Sequence, residues 1–497
     1  MIMSKNQITH LKNINEKNES ETLIVPVIND KSFTLNLADI NANKLFQDTL
    51  ENEDLSSDGK ITILHTPKSL FPNFNYLRII CLGLGDAKKS DANDIRKYAG
   101  ALGRYFLSSK LEGVNFFVDS LTIYDDSEIM IESFIEGFFL GNYSFDKYKN
   151  KKSKKKNFFE ITCSDSKLEI SKILNNSFEK SEAEKIARNL VNEPANFLTP
   201  TKLSEIALDF SNKNLTCKIL DKKQCKELGM NAFLGVSQGS VEEPKLIHIS
   251  YKPLPEDSSY WYIGKAITFD SGGLSLKPSG SMFSMKGDMG GAASVIASIQ
   301  AIANLGINVN IDVLCLATEN MPSGSAQRPS DVVEAMDGTF IEVENTDAEG
   351  RLTLADAITY AKTFEPKFII DIATLTGAAS IGLGRGNISA FSNDESFMKD
   401  VKSAGEKSGD FVWQLPLDSV SKKQNNSSIA DIKNTGGRLA GTITAAHFIN
   451  HFVGDVPWVH LDIAANSMTS SNDGWHNKGA TGIPTRLLIE LAYIFEK

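Results

Sequence analysis

The chain has 497 residues, of which 41% are hydrophobic and 23% charged, and a formal net charge of −10 at pH 7. This length exceeds what one ordinary hydrophobic core organises, so we expect two domains. The acidic balance argues against a general surface for nucleic acid or anionic membranes, and nucleic acid is not an expected partner.

Cysteine usage and the amino-terminal segment indicate a compartment. The five cysteines are scattered and form no CxxC pair, which is typical of reduced thiols in an intracellular protein. Residues 1–21 lack the apolar segment of a signal peptide. The longest apolar stretch, residues 368–384, contains Asp371 and is too short for a spanning helix. We therefore expect a cytoplasmic protein without a membrane segment.

The first 175 residues have the pattern of a smaller α/β domain. Apolar, β-rich runs predict strands at residues 22–28, 60–65, 77–85 and 114–119, and helical periodicity predicts helices at 92–106 and 128–141.

A basic run follows at residues 147–156, KYKNKKSKKK. We interpret it as a solvated loop, because it lacks aromatic side chains beyond Tyr148. A patch for nucleic acid is the alternative.

After a helical connector at residues 176–195, the pattern of apolar residues changes over residues 196–497. Strand-like runs at 245–251, 260–269, 309–317, 368–375 and 458–464 alternate with helical ones such as 290–306. This alternation predicts a larger C-terminal domain whose mostly parallel sheet is flanked by helices.

Two acidic residues stand close together in NTDAEGRL, residues 345–352. In extended backbone, residues two apart point to the same side, so Asp347 and Glu349 can face one target. The segment follows the alternating run TFIEVEN, and we place it at the carboxyl end of a strand, where open α/β sheets bind ligands. Alone, the pair is more typical of an exposed acidic loop.

Further candidate ligands lie between residues 264 and 291. Asp270 ends an apolar run, and Asp288 lies between two glycine-rich steps. Lys265 is embedded in the apolar run, where an ammonium group is costly to bury. Either it pairs with an acid, or its amine is neutral and binds a metal ion.

The carboxylates of Asp270, Asp288, Asp347 and Glu349 carry the charge that two divalent cations would balance, with Lys277 in the loop nearby. Two-metal hydrolytic sites hold their ions about 3.5–4 Å apart. Carboxylate-rich ligation suits Mn²⁺ or Mg²⁺, and Zn²⁺ is also compatible. The cluster therefore predicts a dinuclear hydrolase.

The motifs GKAITFDSGG, MKGDMGG and NTDAEGRL, in this order and spacing, resemble the leucine (cytosol) aminopeptidase family. The likeness runs from about residue 190 to the end and includes NEPANFLTP, DIATLTGA and IADIKNTGGRLAGTITAAHF. The N-terminal part matches only in general character. The resemblance implies a leucyl aminopeptidase, a homohexamer that releases leucine-like residues from peptides with a free amino terminus.

The resemblance also implies roles for single residues. The two metal ions, Mn²⁺ or Zn²⁺, would be held by Lys265, Asp270, Asp288, Asp347 and Glu349, with Asp270 and Glu349 bridging and Asp347 at the more exchangeable site. Lys277 would polarise the scissile carbonyl. Arg351 would hold a bicarbonate ion that acts as general base. The first side chain would be surrounded by Met285, Thr374, Gly377 and Ala464.

The chain departs from the family's usual pattern at four positions near these motifs. Ala266 and Ala465 replace glycines, and Asn466 and Ser467 are more polar than in some relatives. None is a proposed ligand, but the polar pair leaves the fine side-chain preference open.

Two other functions have some support in the sequence. GVSQG, residues 235–239, fits the pattern of a serine hydrolase nucleophile, but Ser237 lacks the required strand–turn–helix context and is interpreted as part of a turn. A non-catalytic scaffold protein that uses the basic run is the second alternative.

Two further motifs are interpreted as structural. His447 and His451 have metal-pair spacing without the glutamate of HExxH, so we interpret them as ordinary helix residues. The glycine clusters at 382–386 and 436–441 match no phosphate loop and are read as turns near the site.

Overall fold

The structure is a computed structural model that describes residues 8–14, 19–29, 35, 37, 39–150, 158–210, 214–255 and 258–496. The chain divides into two compact units. The first unit comprises residues 1–182 and 471–478, and the second comprises residues 183–470 and 479–497. Each unit has a β-sheet covered by helices, which confirms the expected two-domain α/β architecture.

The first unit contains a six-stranded sheet. Its strands and helices are β1 (Ile8–Leu11), β2 (Thr22–Val27), α1 (Ile40–Asn52), β3 (Ile61–His65), β4 (Arg78–Gly83), α2 (Ala92–Ser108), β5 (Gly113–Phe117), α3 (Ser127–Gly141), β6 (Phe158–Thr162) and α4 (Ile170–Asn192). The strand order is β1-β6-β5-β2-β4-β3, and every neighbouring pair is parallel except β3 with β4. All residues of β2 and β5 are buried, as expected for parallel strands covered on both faces. Helix α4 carries the chain into the second unit, and the expected connector, 176–195, includes its end.

Residues 471–478 belong to the first unit although the chain on both sides of them belongs to the second. The side-chain amide of Asn477 donates hydrogen bonds to the backbone oxygens of Gly141 at 2.9 Å and Tyr143 at 2.7 Å. The Arg96 guanidinium lies 5.5 Å from the centre of the Trp475 ring. The sequence pattern gave no sign of this excursion, because it rests on contacts with residues more than 300 positions earlier.

The second unit contains the larger sheet. Its elements are α5 (Pro200–Asp209), β7 (Leu215–Leu220), α6 (Lys222–Glu227), α7 (Asn231–Ser237), β8 (Lys245–Tyr251), β9 (Tyr260–Gly264), β10 (Ala266–Asp270), α8 (Ser279–Met282), α9 (Gly290–Leu305), β11 (Ile311–Asn320), β12 (Val332–Glu334), β13 (Phe340–Glu342), α10 (Gly350–Lys362), β14 (Phe368–Ala373), α11 (Gly377–Leu383), β15 (Ile388–Ser392), α12 (Glu395–Ser408), β16 (Val412–Gln414), α13 (Ser419–Lys422), β17 (Ile432–Lys433), α14 (Gly441–Val453), β18 (Trp458–Asp462), β19 (Met468–Thr469), β20 (Gly479–Ala480) and α15 (Thr485–Ile494).

The strand order of this sheet is β16-β15-β18-β14-β9-β11-β8-β7, and β10 also pairs with β11. The central strands β18, β14, β9 and β11 are parallel to one another. At one end of the sheet β8 is antiparallel to β11, and β7 is antiparallel to β8. Buried apolar side chains of α9, including Val295, Ile299 and Ile302, pack with the core on one face of the sheet. The mostly parallel sheet with flanking helices is therefore confirmed.

Two details of the strand prediction were wrong. The run 260–269 forms two strands, because the chain leaves its pairing with β14 at Lys265 and β10 continues beside β11 alone. The run TFIEVEN forms only the short strand β13, which belongs to a separate three-stranded sheet with β12 and β17. The acidic motif therefore does not follow a strand of the main sheet.

Three further sequence features can be placed. All five cysteines are free, four of them buried and Cys217 partly buried. No helix in the described part of the chain is both long and apolar enough to cross a membrane. Residues 151–156 of the basic run lie outside the described residues.

Candidate metal centre

The candidate ligands come from three separate segments of the second unit. Asp270 is the last residue of β10, Asp288 precedes α9, and Asp347 and Glu349 precede α10. One oxygen each from Asp270, Asp347 and Glu349 lies within 4.8 Å of the others. The structure therefore brings together acids that are up to 79 positions apart in sequence.

The conformation of the acidic motif differs from the extended one expected. Asp347 lies in a turn, and Glu349 has helical backbone angles, φ −80° and ψ −34°, immediately before α10. The turn is held by Asn434, which is fully buried. The Asn434 side chain accepts from the backbone N–H of Glu344 at 2.8 Å and donates to the backbone oxygen of Asn345 at 2.7 Å. The two acids converge through this turn and not through strand periodicity.

Lys265 pairs with the acids, as one of the two sequence-based explanations expected. Its Nζ lies 2.8 Å from Asp288 Oδ1 and 2.8 Å from Glu349 Oε1, and it donates to the backbone oxygen of Thr374 at 3.1 Å. Burial lowers the pKa of this amine, but the neighbouring carboxylates outweigh burial and raise it above its ordinary value.

Lys277 lies on another side of the same cluster. Its Nζ is 2.8 Å from Asp270 Oδ2 and 2.5 Å from Asp347 Oδ1. The carboxylates again overcome burial and raise the pKa of this lysine. Two ammonium groups and four carboxylates therefore share one small region.

The carboxylates have unequal proton affinities. Burial raises the pKa of Asp270 to about 6, and the charge of Glu349 adds to this increase. Burial also raises the pKa values of Asp288, to well above its usual range, and of Asp347. For Glu349 burial acts in the same direction, but the charges of Lys265 and Lys277 outweigh it and lower its pKa.

The donor set fits divalent cations. Asp288 Oδ2 is buried and accepts no hydrogen bond from the described residues, although a buried carboxylate oxygen normally has a partner. Its other oxygen, Oδ1, accepts from the Thr374 hydroxyl at 2.7 Å. Closely spaced carboxylate oxygens of this kind are hard donors suited to Mn²⁺, Mg²⁺ or Zn²⁺.

Arg351 is buried in the first turn of α10. Its Nη1 donates to the backbone oxygen of Asn434 at 2.6 Å, while its Nε has no hydrogen-bond partner among the described residues. Burial lowers its pKa to about 10, against the charges of Glu349 and Asp462. An arginine with an unsatisfied donor beside a cavity can bind an anion.

A cavity of about 790 Å³ opens onto this cluster. The predicted residues that line it are Lys265, Asp270, Lys277, Met285, Asp288, Asp347, Arg351, Thr374, Gly377 and Ala464. Glu349 is buried behind them, in contact with Lys265. Thr374 lines the cavity, and its hydroxyl donates to Asp288.

Sequence reasoning missed Asn320, the last residue of β11. Its amide nitrogen donates to Asp270 Oδ1 at 2.8 Å and to the backbone oxygen of Thr346 at 3.0 Å, and lies 3.5 Å from Glu349 Oε2. The position of a polar residue at the carboxyl end of a central strand was the available signal.

Three other motifs are not part of this cluster. Ser237 is the last residue of helix α7 rather than part of a turn, and its hydroxyl donates to the backbone oxygen of Leu234 at 2.7 Å. The serine-hydrolase alternative therefore finds no support. His447 and His451 both lie on α14, as expected. Arg385 of the first glycine cluster and Gly436, Gly437 and Gly441 of the second line the cavity.

Four carboxylates and two lysines gathered beside one cavity of an α/β domain form a donor set of the kind that metal-dependent hydrolases use. The sequence matches the catalytic domain of the cytosol aminopeptidase family over residues 185–489 and the family's N-terminal domain over residues 24–152. The chain belongs to the cytosol aminopeptidase family. It is a metal-dependent aminopeptidase, a hydrolase of the exopeptidase type.

Individual relatives cover most of the chain. A probable cytosol aminopeptidase of Clostridium tetani (strain Massachusetts / E88) is 42% identical over 427 residues, which are 84% of this chain and 88% of that protein. A probable cytosol aminopeptidase of Solibacter usitatus (strain Ellin6076) is 39% identical over 477 residues, or 95% and 96% of the two chains. Among solved structures, the bottromycin maturation enzyme BotP in complex with Mn is 29% identical, with a TM-score of 0.84 over 96% of this chain and 100% of that one.

Proposed function

We propose that the enzyme removes leucine-like residues from the amino termini of peptides with two divalent metal ions. These would be held by Asp270, Asp288, Asp347, Glu349 and Lys265, whose amine would give up its proton and its ion pairs when the metal binds. The observation that carries this proposal is the convergence of the carboxylates on one cavity, with a buried Asp288 oxygen that lacks a hydrogen-bond donor. Bound ions of this kind act as Lewis acids, lower the pKa of water and bind the free α-amine of the substrate.

Lys277 acts on the substrate carbonyl in this proposal. Its ammonium group is held by Asp270 and Asp347 at the cavity. A fixed positive charge there stabilises the negative charge that develops on the carbonyl oxygen during attack. The ordinary pKa of a lysine amine lies well above neutral pH, so Lys277 carries this charge.

Arg351 positions the general base. The free Nε and the bond from Nη1 to Asn434 leave a fixed, charged donor that a bicarbonate ion can bind. A bicarbonate ion held there would serve as the acceptor for a proton of the attacking water.

The first side chain binds beside Met285, Thr374, Gly377 and Ala464. A Cβ atom built on Gly377 would meet nothing within 4 Å, so the cavity is open beside this glycine. The apolar surfaces of Met285 and Ala464 suit a leucine-like side chain.

The finer assignments follow the same proposal. We propose Mn²⁺ or Zn²⁺ as the metal, on the basis of the carboxylate-rich donor set and the Mn of the related BotP structure. A homohexamer in the cytoplasm is proposed from the family resemblance. The division into residues 1–175, 176–195 and 196–497 remains the proposed domain organisation, except that residues 471–478 are grouped with the first unit. Elemental analysis and light scattering of the purified protein test the metal and the assembly.

The central experiment is hydrolysis of leucine p-nitroanilide by protein treated with a chelator and then supplied with Mn²⁺ or Zn²⁺. We expect activity to disappear with chelation, to return with metal, and to be absent with N-acetyl-leucine p-nitroanilide. An Asp347→Asn variant should lose the response to metal, whereas Ser237→Ala should keep it. Activity that survives chelation and falls in Ser237→Ala would overturn the proposal.

A further inference from the structure

Part of the cavity lining consists of hydroxyl groups and an arginine. These residues are Ser380, Arg385, Ser467 and Ser470. Arg385 Nη1 donates to the Ser470 hydroxyl at 3.4 Å. Within the described part of the chain, no carboxylate oxygen forms an ion pair with Arg385, whereas Lys265 and Lys277 each contact two. Arg385, which is exposed, therefore contributes to the cavity a positive charge that no described carboxylate pairs with.

The backbone of Arg385 is fixed to the wall that carries Ala464. The side-chain amide of Asn466, which is buried, donates to the backbone oxygens of Arg385 at 2.8 Å and Asn387 at 3.3 Å. The backbone oxygen of Asn466 in turn accepts from the Thr481 hydroxyl at 2.7 Å. The unusual polarity of Asn466, noted in the sequence, thus serves to place the arginine.

Two of these polar residues are close in sequence to the residues proposed to surround the first side chain. Ser380 follows Gly377 by three residues on helix α11, so both lie on the same side of the helix. Ser467 follows Ala464 by three residues in the segment that Asn466 anchors. A side chain that lies beside Gly377 and Ala464 therefore shares the cavity with these hydroxyl groups and Arg385.

We propose that Arg385, together with Ser380 and Ser470, binds the carboxylate of an acidic amino-terminal residue, so that the enzyme releases glutamate in addition to leucine-like residues. The inference rests on the proposed aminopeptidase function and names a further substrate class for the same site. The methylene groups of glutamate pack where leucine would, and its carboxylate meets the guanidinium, a geometry that arginine forms well. The same charge repels amino-terminal lysine and arginine.

The test compares kcat/KM for glutamate, glutamine and leucine p-nitroanilides in wild-type protein and in Arg385→Gln. Glutamate and glutamine have nearly the same shape, so their ratio isolates charge. We expect this ratio to fall about threefold to thirtyfold in Arg385→Gln. Arg385→Lys should retain part of it. Arg328→Gln, which removes an exposed arginine paired with Asp331 outside the cavity, is the matched control and should leave the ratio unchanged.

A binding measurement separates this inference from the proposed function. Calorimetric titration with free L-glutamate should give weaker binding to Arg385→Gln than to wild type, with a smaller change for L-leucine. An unchanged glutamate-to-glutamine ratio in Arg385→Gln would overturn the inference. Hydrolysis of the dipeptide Leu-Gly and of Leu-Gly-amide, which lacks the terminal carboxylate, provides a second check. If Arg385→Gln lowered kcat/KM only for Leu-Gly, Arg385 would bind the substrate's carboxyl terminus, and the inference would also be overturned. Absence of metal-dependent hydrolysis of every substrate would instead contradict the proposed function.

Discussion

A Cβ atom on Gly350 would lie 2.5 Å from Cε and 2.7 Å from Nζ of Lys265. The glycine after Glu349 therefore provides the space in which the lysine reaches the carboxylates. Gly350 is the first residue of α10, where alanine is otherwise the better helix former. Its absence of a side chain is a requirement of the site rather than of the helix.

Replacing Gly350 with alanine should displace the Lys265 amine while the fold is retained. We expect kcat/KM for leucine p-nitroanilide to fall roughly tenfold to a hundredfold, since small displacements of catalytic groups have effects of this size. The melting temperature, followed by circular dichroism, should change little. Gly324→Ala is the control, because a Cβ there meets nothing within 4 Å. Full activity of Gly350→Ala would refute the requirement.

Lys277 should act mainly on the rate of the chemical step. In Lys277→Met, kcat should fall roughly a hundredfold to a thousandfold, with a smaller change in KM, because the charge acts on the transition state. Steady-state kinetics at saturating metal check this, with Lys222→Met, an exposed lysine of α6, as control. A variant with raised KM and normal kcat would mean that Lys277 only binds substrate.

Asn320 should affect metal binding without contacting substrate. Asn320→Ala removes the amide that donates to Asp270 and lies near Glu349, so these carboxylates lose the group that orients them. We expect metal affinity, measured by titration calorimetry, to fall roughly tenfold to a hundredfold. Asn308→Ala, at an exposed position just before β11, should bind metal normally. If the two variants bound metal with equal affinity, Asn320 would have no role in metal binding.

Asp312 should give the fold an acid-sensitive contribution. It is buried on β11, and His248 Nε2 lies 2.8 Å from its Oδ1, with the Ser250 and Ser259 hydroxyls donating to the same carboxylate and Lys252 Nζ 3.4 Å away. Burial raises its pKa, but the hydrogen bonds outweigh burial and leave the pKa below its ordinary value of 3.8. The ionised form thus stabilises the native state above that value, and the contribution is lost as pH falls below it.

Asp312→Asn should therefore lower the free energy of unfolding by about 1–3 kcal/mol near pH 7. The difference from wild type should shrink as the pH is lowered below about 4. Urea unfolding between pH 3 and pH 7 measures this, with the exposed Asp209→Asn as control. A difference that stays constant over this range would mean that the carboxylate charge is not the cause.

The sequence predicted the members of the site better than their arrangement. Asp270 and Asp288 stand beside glycine-rich steps that are visible in the sequence, and the strand that ends at Asp270 is strongly apolar. The approach of Asp347 and Glu349 was attributed to strand periodicity, whereas a turn anchored by Asn434 produces it. Asn434 lies 85 positions after Glu349, and no local pattern predicts that contact.

The same limit explains the other differences. The apolar run that contains Lys265 predicted a single strand. In the structure β9 pairs with β14 and β11, whereas β10 pairs with β11 alone. The sequence indicated only that Arg385 belongs to a glycine-rich turn. Its place in the cavity depends on Asn466, and no local pattern predicts that contact. Local propensity identifies elements, whereas the partners of polar side chains follow from long-range packing.

The excursion of residues 471–478 has a consequence for synthesis. During synthesis, residues 1–182 leave the ribosome long before the segment that carries Trp475 and Asn477 is made. Until then the backbone oxygens of Gly141 and Tyr143 lack the donors that Asn477 supplies. The first unit is therefore completed only after most of the second unit has been made, and a gene fragment that ends at residue 182 encodes the first unit without residues 471–478.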